Sequence, residues 1–188
     1  MLNSGRVSGA ELNTIADDTP ARARSRLERK YEALWSEYGD GLVRLASSYE
    51  SVCDAREDLL QEIRLALWKA LPTFRGDCSL RTFVYRVAHN RGLTHVWRRK
   101  TQTQSSAELP DADDPRPSPE ATVIQTADHS SLMDAIRKLP INYRQVITMT
   151  LEELPQSEIA AVLGISENNV AVRLNRARKL LRAYLEGK

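Results

Sequence analysis

Amide and basic side chains share one face of a helix predicted near the C-terminus of this chain. On a helical wheel for residues 166–185, that face carries Asn168, Val172, Asn175, Arg176 and Lys179. Amides and arginine can read the edges of DNA bases, and lysine suits phosphate. An ordinary amphipathic surface helix has a similar polar face, so this pattern by itself leaves both interpretations open.

The elements that must position this face form a predicted helix-turn-helix. A short helix over 156–163 meets Gly164, where a residue without Cβ can take a left-handed turn, and Ser166 caps the next helix. The second helix of such a pair is available for the DNA major groove. Its opposite face, which we expect to pack on the first helix, carries Val170, Leu174, Ala177 and Leu181.

A second set of candidate side chains lies on a predicted helix that starts after Ser79. The apolar stripe of this helix is Leu80, Phe83, Val84, Val87 and Ala88, and its continuation would bury Arg91, so we expect a bend near Gly92 or a partner for Arg91. The expected outward face carries Thr82, Tyr85, Arg86 and His89. Tyr85 could stack on a base while Arg86 holds phosphate. We expect Trp97 to pack in the core or at the helix end, with a stacking role as the alternative.

The preceding predicted helix opens at Asp54, where Glu57 completes a capping-box pattern, and it ends at Pro72. Its buried stripe of Leu59, Leu60, Ile63 and Leu67 leaves Leu65 and Trp68 on the polar face. Such exposed apolar side chains predict a covered surface, under another helix or a partner protein. The alternative is that Trp68 packs on the first helix of the chain. We expect that first helix to kink, or to break into two helices, near Gly39 and Gly41.

We predict an all-helical chain, because apolar residues recur at helical spacing and no segment has a convincing alternating β pattern. It has 188 residues, of which 41% are hydrophobic, and only 8 Gly and 8 Pro, which argues against a turn-rich β protein. Two Cys cannot form a disulfide framework, so a reducing compartment is expected. No signal peptide and no membrane-spanning run is apparent.

Charge and composition also predict the domain organisation. No acidic residue occurs from Cys78 to Ala107 or from Asn168 to Leu185, whereas residues 101–128 carry six acids and one Arg. Two basic surfaces joined by an acidic segment suggest a polyanion contacted at two places. We predict two small helical domains joined by a flexible linker: a disordered tail over 1–24, a bundle over 25–100, an acidic Pro-rich linker over 101–129 and a second bundle over 130–188.

These motifs resemble a known family. DLLQEIRLALW (58–68) followed by FRGDCSLRTFVYRVAHN (74–90) is similar to region 2 of the extracytoplasmic-function (ECF) sigma factors. The block from LPINYRQV (139–146) through RARK (176–179) resembles their region 4. The resemblance covers about residues 25–100 and 130–186, in the same order and with a suitable gap.

The resemblance implies a sigma factor that binds core RNA polymerase through the β′ clamp helices and the β flap, recognises and melts promoter DNA, and starts transcription. The implied polymerase-binding residues are Asp58, Gln61, Glu62, Leu65 and Trp68. The implied −10 residues are Phe74, Arg75, Gly76, Asp77, Cys78, Ser79, Thr82, Tyr85, Arg86, His89, Asn90, Arg98 and Arg99. The implied −35 residues are Asn168, Asn169, Val172, Arg173, Asn175, Arg176 and Lys179, and the chain departs from the family pattern at Ala171 and Val172.

Other classes of protein explain fewer of these features. A two-domain helix-turn-helix repressor or activator shares the C-terminal motif but needs neither the 58–68 helix nor the basic third helix. For an enzyme, the acids from Asp54 to Glu62 cluster at a helix start, where they favour the dipole, and His89 and His95 are not spaced as a metal pair. We therefore expect no catalysis, no cofactor and no metal. The expected protein is cytoplasmic, monomeric when free, without membrane insertion, and controlled by an anti-sigma factor.

Overall fold

The computed structural model describes residues 20–105 and 123–187, with side chains placed for 21–102 and 131–187. These residues are helical throughout, as predicted, and contain no strand. The elements are α1 (Pro20–Tyr49), α2 (Cys53–Ala70), a 3₁₀ turn (Leu71–Thr73), α3 (Leu80–Ser105), α4 (Val123–Lys138), α5 (Ile141–Leu151), α6 (Gln156–Leu163) and α7 (Glu167–Glu186). Most of the predicted tail (1–19) and the centre of the predicted linker (106–122) lie outside the described residues.

Helices α1, α2 and α3 pack on one another as the first bundle. Its core is made of fully buried aliphatic side chains, each contributing about 1.5–3 kcal/mol by leaving water. The stripe predicted for α2 is confirmed at Leu59, Ile63 and Leu67, which are all buried. The other two helices contribute Leu34, Leu42, Leu45, Val84 and Ala88.

The break predicted in α1 is wrong, because α1 runs without interruption over 30 residues. A Cβ at Gly41 would collide with the Tyr85 hydroxyl and the Glu152 carboxylate. The glycine therefore allows close approach of neighbouring elements. Its helix-propensity cost, about 1 kcal/mol relative to alanine, is offset by this packing.

Helices α2 and α3 differ in how their N-termini are capped. Helix α2 has Val52 as its N-cap and no side-chain capping bond, so the predicted Asp54 capping box is wrong. The Val52 N–H instead bonds to Glu50 Oε1 at 3.0 Å. Ser79 does cap α3, because its Oγ accepts the Thr82 N–H at 3.0 Å.

Helix α3 continues through Gly92 without interruption, and the burial of Arg91 that led us to expect a bend or a partner does not occur. The buried face of α3 is rotated relative to the prediction, which leaves Arg91 exposed and turns Gly92 inward. A Cβ at Gly92 would collide with the Tyr49 ring, so this glycine lets α1 and α3 approach closely.

Helices α4 to α7 form the second bundle. The helix-turn-helix is confirmed: Gly164 takes the left-handed conformation (φ 65°, ψ 35°), and Ser166 Oγ accepts the Asn169 N–H at 3.3 Å. Val170, Leu174 and Ala177 are buried, and Leu181 is half-buried, on the predicted face of α7. Helix α4 begins at Val123, earlier than expected from the pattern at Ser131. In residues 20–105 and 123–187, every helix is too short or too polar to cross a membrane.

Candidate nucleic-acid interface

The outer face of α7 is open to solvent. The side chains of the predicted recognition face are exposed, and only Arg173 is half-buried. No ion pair links Arg176 or Lys179 to another described residue. Both cations are thus available to an external anion such as DNA phosphate. The exposed members are Asn168, Asn169, Val172, Asn175, Arg176 and Lys179.

The loop before α3, residues 74–79, exposes polar groups and is anchored to α3 by an aromatic contact. Phe74 packs on Phe83, with ring centroids 4.8 Å apart, which anchors the loop to α3. Gly76 has φ 82°, a conformation that favours glycine, and the space beside its Cα is open. Arg75 and Asp77 are exposed, and Cys78 is half-buried. Residues 75–78 therefore form an open loop on the surface of the first bundle.

The outward face predicted for α3 is wrong at three of its four positions. Thr82, Tyr85 and His89 are buried, because α3 packs against α1 and α2 on one side and against α6 on the other. The Tyr85 hydroxyl donates to Glu152 Oε2 at 3.3 Å, and His89 Nδ1 lies 2.6 Å from the Tyr49 hydroxyl. Stacking of Tyr85 on a base is blocked in this arrangement.

The solvent face of α3 instead follows a different stripe. Arg86 is half-buried at its start, and Asn90, Thr94, Trp97 and Thr101 are exposed along it. The expected packing of Trp97 is wrong, because its side chain is 64% exposed. These residues recur at steps of three or four, so they lie along one side of the helix.

The basic end of α3 is held to the first bundle by ion pairs. Arg98 donates a hydrogen bond of 2.7 Å to Glu62 Oε1. Arg98 is one of the predicted DNA-binding residues, whereas Glu62 is one of the predicted polymerase-binding residues. Arg99 pairs with Glu50, whose carboxylate also lies 2.8 Å from His95 Nε2. Burial raises the pKa of Glu50, but the hydrogen bonds from Arg99, His95 and the Val52 N–H outweigh it and hold that pKa below the ordinary value.

His89 is a buried neutral histidine. Burial lowers its pKa from 6.5 to about 3, and Nε2 has no partner among the described residues. As the pH falls below about 6.5, this histidine is protonated in the unfolded chain but stays neutral in the folded chain. The stabilising contribution of His89 is therefore present above about pH 6.5 and is lost as the pH falls.

We expect His89 to lower the free energy of unfolding by about 2 kcal/mol between pH 7 and pH 5, at about 1.4 kcal/mol per pH unit below 6.5. Urea unfolding at both pH values measures this loss. Because the glutamine of His89→Gln does not titrate, the free energy of unfolding of this variant should fall by about 2 kcal/mol less than that of wild type between pH 7 and pH 5. An equal loss in wild type and variant would contradict the assignment.

The outer face of α2 has the exposed character predicted for a partner surface. Asp58, Gln61 and Leu65 are exposed, and Leu65 is 52% exposed although it is aliphatic. Trp68 is half-buried, with its ring edge-to-face on Tyr31 at 5.3 Å. Packing on α1, the alternative interpretation of Trp68, therefore buries part of its side chain.

The two bundles contact one another through Glu152, in the turn after α5. Its carboxylate accepts two hydrogen bonds of 2.7 Å from the Arg44 guanidinium of α1. Tyr85 bonds to the same carboxylate, and Arg81 bonds to the Glu152 backbone carbonyl. Glu152 is only 6% exposed, so these bonds are partly shielded from water.

Three further bonds extend this contact along α6 and α4. Arg86 donates to the Ala161 carbonyl at 2.9 Å, and Ser79 Oγ donates to Glu158 Oε1 at 3.2 Å. Arg137 of α4 donates to the Ser47 carbonyl of α1 at 2.9 Å. Helix α6 therefore covers the first half of α3, including several residues predicted to contact DNA. In the part of the chain that the structure describes, no group of His, Cys, Asp and Glu could hold a metal ion.

Comparison with known proteins gives the family. Residues 34–102 match Sigma-70 region 2, and residues 129–181 match Sigma-70, region 4. The RNA polymerase sigma factor CnrH of Cupriavidus metallidurans is 30% identical over 175 residues, covering 88% of this chain and 92% of that protein. The ECF RNA polymerase sigma-E factor of Haemophilus influenzae is 27% identical, covering 82% and 86%.

A solved structure agrees with these relatives. CnrH in complex with the cytosolic domain of CnrY superposes with a TM-score of 0.65 at 26% identity, covering 89% of this chain and 95% of that chain. The chain belongs to the ECF-type sigma factors of RNA polymerase, with the first bundle as region 2 and the second as region 4. Proteins of this family are not enzymes.

Proposed function

We propose that this sigma factor binds core polymerase through α2 and reads a promoter at two places. Leu65 is the main support for polymerase binding through α2. It is an aliphatic side chain that is 52% exposed beside Asp58 and Gln61, and such a side chain is suited to burial under a partner. The partner implied by the resemblance is the pair of β′ clamp helices, and the β flap is the implied partner of region 4. Glu62 and Trp68 complete the proposed surface.

At the −10 element, the loop 74–79 would hold a base that has left the stack. Base flipping costs a few kcal/mol, which a site for the extruded base offsets. Asp77 can accept from an exocyclic amine, and the open space at Gly76 lets a base approach the backbone. Arg75 adds an exposed cation for phosphate, while Phe74 keeps the loop fixed on α3. Asn90, Arg98 and Arg99 are proposed to lie near duplex backbone.

At the −35 element, α7 would enter the major groove with its amide and basic face. Asn168 and Asn175 are suited to adenine, and Arg176 is suited to guanine or phosphate. Val172, which is 41% exposed, can contact a thymine methyl group. Asn169, Arg173 and Lys179 flank these positions and can hold phosphates.

Promoter binding and the contact between regions 2 and 4 compete for the same residues. Ser79, Tyr85 and Arg86 are engaged by the turn after α5 and by α6. The proposal therefore requires region 4 to leave α3 before region 2 reads the −10 element. A partner that keeps the regions together inhibits the protein, and the complex of CnrH with CnrY supports an anti-sigma factor as that partner. The proposed place of action is the cytoplasm, with a monomeric free chain.

Run-off transcription tests the proposal. Purified bacterial core polymerase is assayed on a library of genomic fragments, with and without the chain. We expect new discrete start sites that share two sequence elements. Specific binding of duplex DNA by the chain alone, without core binding or new starts, would favour the repressor or activator class instead.

A further inference from the structure

The first turns of α1 extend beyond region 2 as a basic helical segment. Helix α1 starts at Pro20, but Leu27 and Tyr31 are its first hydrophobic side chains that pack against the core. Residues 21–26 are all exposed, so about 10 Å of helix projects from the end of the bundle. Residues 21–30 carry five cations and one acid, and the cations are Arg22, Arg24, Arg26, Arg29 and Lys30.

Three of these cations lie along one side of the helix. Arg22, Arg26 and Arg29 are spaced by four and three residues, which places them on one face, and all three line one open groove. We call these three residues the arginine stripe. It is about 10 Å long, which is the length of about three phosphates on one DNA strand. Arg24 lies on the opposite face, where it pairs with Glu28 at 3.1 Å.

Two aromatic contacts fix the base of the projecting segment. The Tyr31 ring meets the Trp68 ring edge-to-face, with centroids 5.3 Å apart. One turn further along α1, the guanidinium of Arg64 lies 4.1 Å from the centroid of the Trp35 ring. Both contacts join α1 to the second half of α2, so the direction in which the arginine stripe projects is set by the packing of region 2.

The arginine stripe lies at the end of region 2 that carries the loop 74–79. Gly41 of α1 lies against Tyr85 of α3, and Tyr49 lies against Gly92 further along both helices, so α1 and α3 run in the same direction. The start of α1 is therefore at the same end of the bundle as the start of α3, where the loop is. Because the far end of α3 is proposed to lie near the upstream duplex, the arginine stripe points downstream, toward the start of transcription.

The chemistry of the segment favours a nucleic acid over a protein as its partner. Its exposed residues, 21–26, are only Ala, Arg and Ser, without the large apolar side chain that anchors a protein interface. A guanidinium group matches the geometry of a phosphate and can bind it through two hydrogen bonds. The match to Sigma-70 region 2 begins at residue 34, so the arginine stripe lies outside the part of the chain that the family model describes.

We propose that the arginine stripe binds the backbone of the melted DNA strand on the downstream side of the flipped base. This inference rests on the proposed promoter binding by region 2 and extends it. The loop 74–79 holds one base, and the three guanidinium groups hold phosphates that follow it on the same strand. The stripe contributes affinity and orientation without reading sequence, because the phosphates are the same at every position.

The test uses holoenzyme and forked promoter DNA from a start site found by run-off transcription. The melted strand either ends at the −10 element or continues for about ten nucleotides downstream, and affinities are measured from about 50 to 200 mM salt. In the triple variant Arg22→Ala, Arg26→Ala, Arg29→Ala, we expect the salt slope on the extended fork to fall by about 2, because each single-strand phosphate contact contributes about 0.7. On the truncated fork, the variant and wild type should have the same slope.

A pair of charge reversals on the same helix provides the matched control. Arg29→Glu should weaken binding of the extended fork by about 5-fold at the lowest salt concentration, as for the loss of one exposed ion pair. Arg24→Glu changes the net charge equally on the opposite face and should stay within about 2-fold of wild type. Both residues are outside the hydrophobic core, so neither substitution removes core packing.

The possible failures are distinguishable. Equal salt slopes for wild type and the triple variant on the extended fork, beside an active wild type, would overturn the arginine stripe alone. Equal losses in Arg29→Glu and Arg24→Glu would overturn it in favour of a general effect of charge. A loss of core binding by the triple variant would overturn it in favour of a protein interface. A wild type that forms no promoter complex would overturn the proposed function itself.

Discussion

Replacing Leu65 with aspartate is expected to weaken binding of the chain to core RNA polymerase by about 100-fold. An interface side chain that fills a desolvated site contributes about 2–4 kcal/mol, and a carboxylate there also loses its hydration. Because Leu65 is 52% exposed in the free chain, the substitution leaves the fold of region 2 intact. Fluorescence anisotropy of the labelled chain, titrated with core polymerase, measures the change.

Val43 provides a control for this experiment. It is an aliphatic side chain that is 42% exposed, and it lies on α1 in region 2. Val43→Asp introduces the same charge on an exposed position that is not proposed to contact core polymerase. We expect its affinity for core to stay within about 3-fold of wild type, a difference below about 0.7 kcal/mol. Equal losses in the two variants would contradict the assignment of Leu65.

Reversing the charge of Glu152 is expected to separate region 4 from region 2. In Glu152→Lys, two charge-assisted hydrogen bonds to Arg44 are lost and an ammonium is placed beside Arg44 and Arg81. Because Arg44 is half exposed, solvent screening limits the effect to about 2–3 kcal/mol, or about 30- to 150-fold in the ratio of joined to separated forms. Small-angle X-ray scattering should show a larger radius of gyration.

Glu153 is the matched control, because it is the neighbouring glutamate, is exposed, and makes none of these contacts. Glu153→Lys changes the net charge equally and should leave the radius of gyration unchanged. The Glu152 variant should also bind DNA more tightly than the Glu153 variant when polymerase is absent, because α6 no longer covers Ser79 and Arg86. Equal scattering profiles for the two variants would contradict the role of Glu152.

The local features of the fold were predictable from sequence because their causes are local. Gly164 and Ser166 determine the turn and the cap of the helix-turn-helix through backbone conformation and one hydrogen bond. Ser79 caps α3 for the same reason. The exposed face of α7 followed from periodicity, because that helix is covered on one side only.

The face of α3 was not predictable in this way, because α3 is covered on two sides. Thr82, Tyr85 and His89 are polar, and a helical wheel places them outside, but contacts with Tyr49 and Glu152 bury them. Gly41 and Gly92 were interpreted as sites of a break and a bend, whereas they allow close approach of other helices. Glu152 was missed because its partner Arg44 lies 108 residues earlier, and no local pattern links them.

Footprinting of the complex that starts transcription tests the central claim most directly. Core polymerase with the chain is bound to a promoter fragment identified by run-off transcription, then probed with DNase I and with permanganate, which modifies unpaired thymines. We predict protection of two separate segments upstream of the start, with unpaired thymines only in the segment nearer the start, and loss of both signals with Leu65→Asp. A single protected duplex site that forms without polymerase and shows no unpaired thymines would contradict the account.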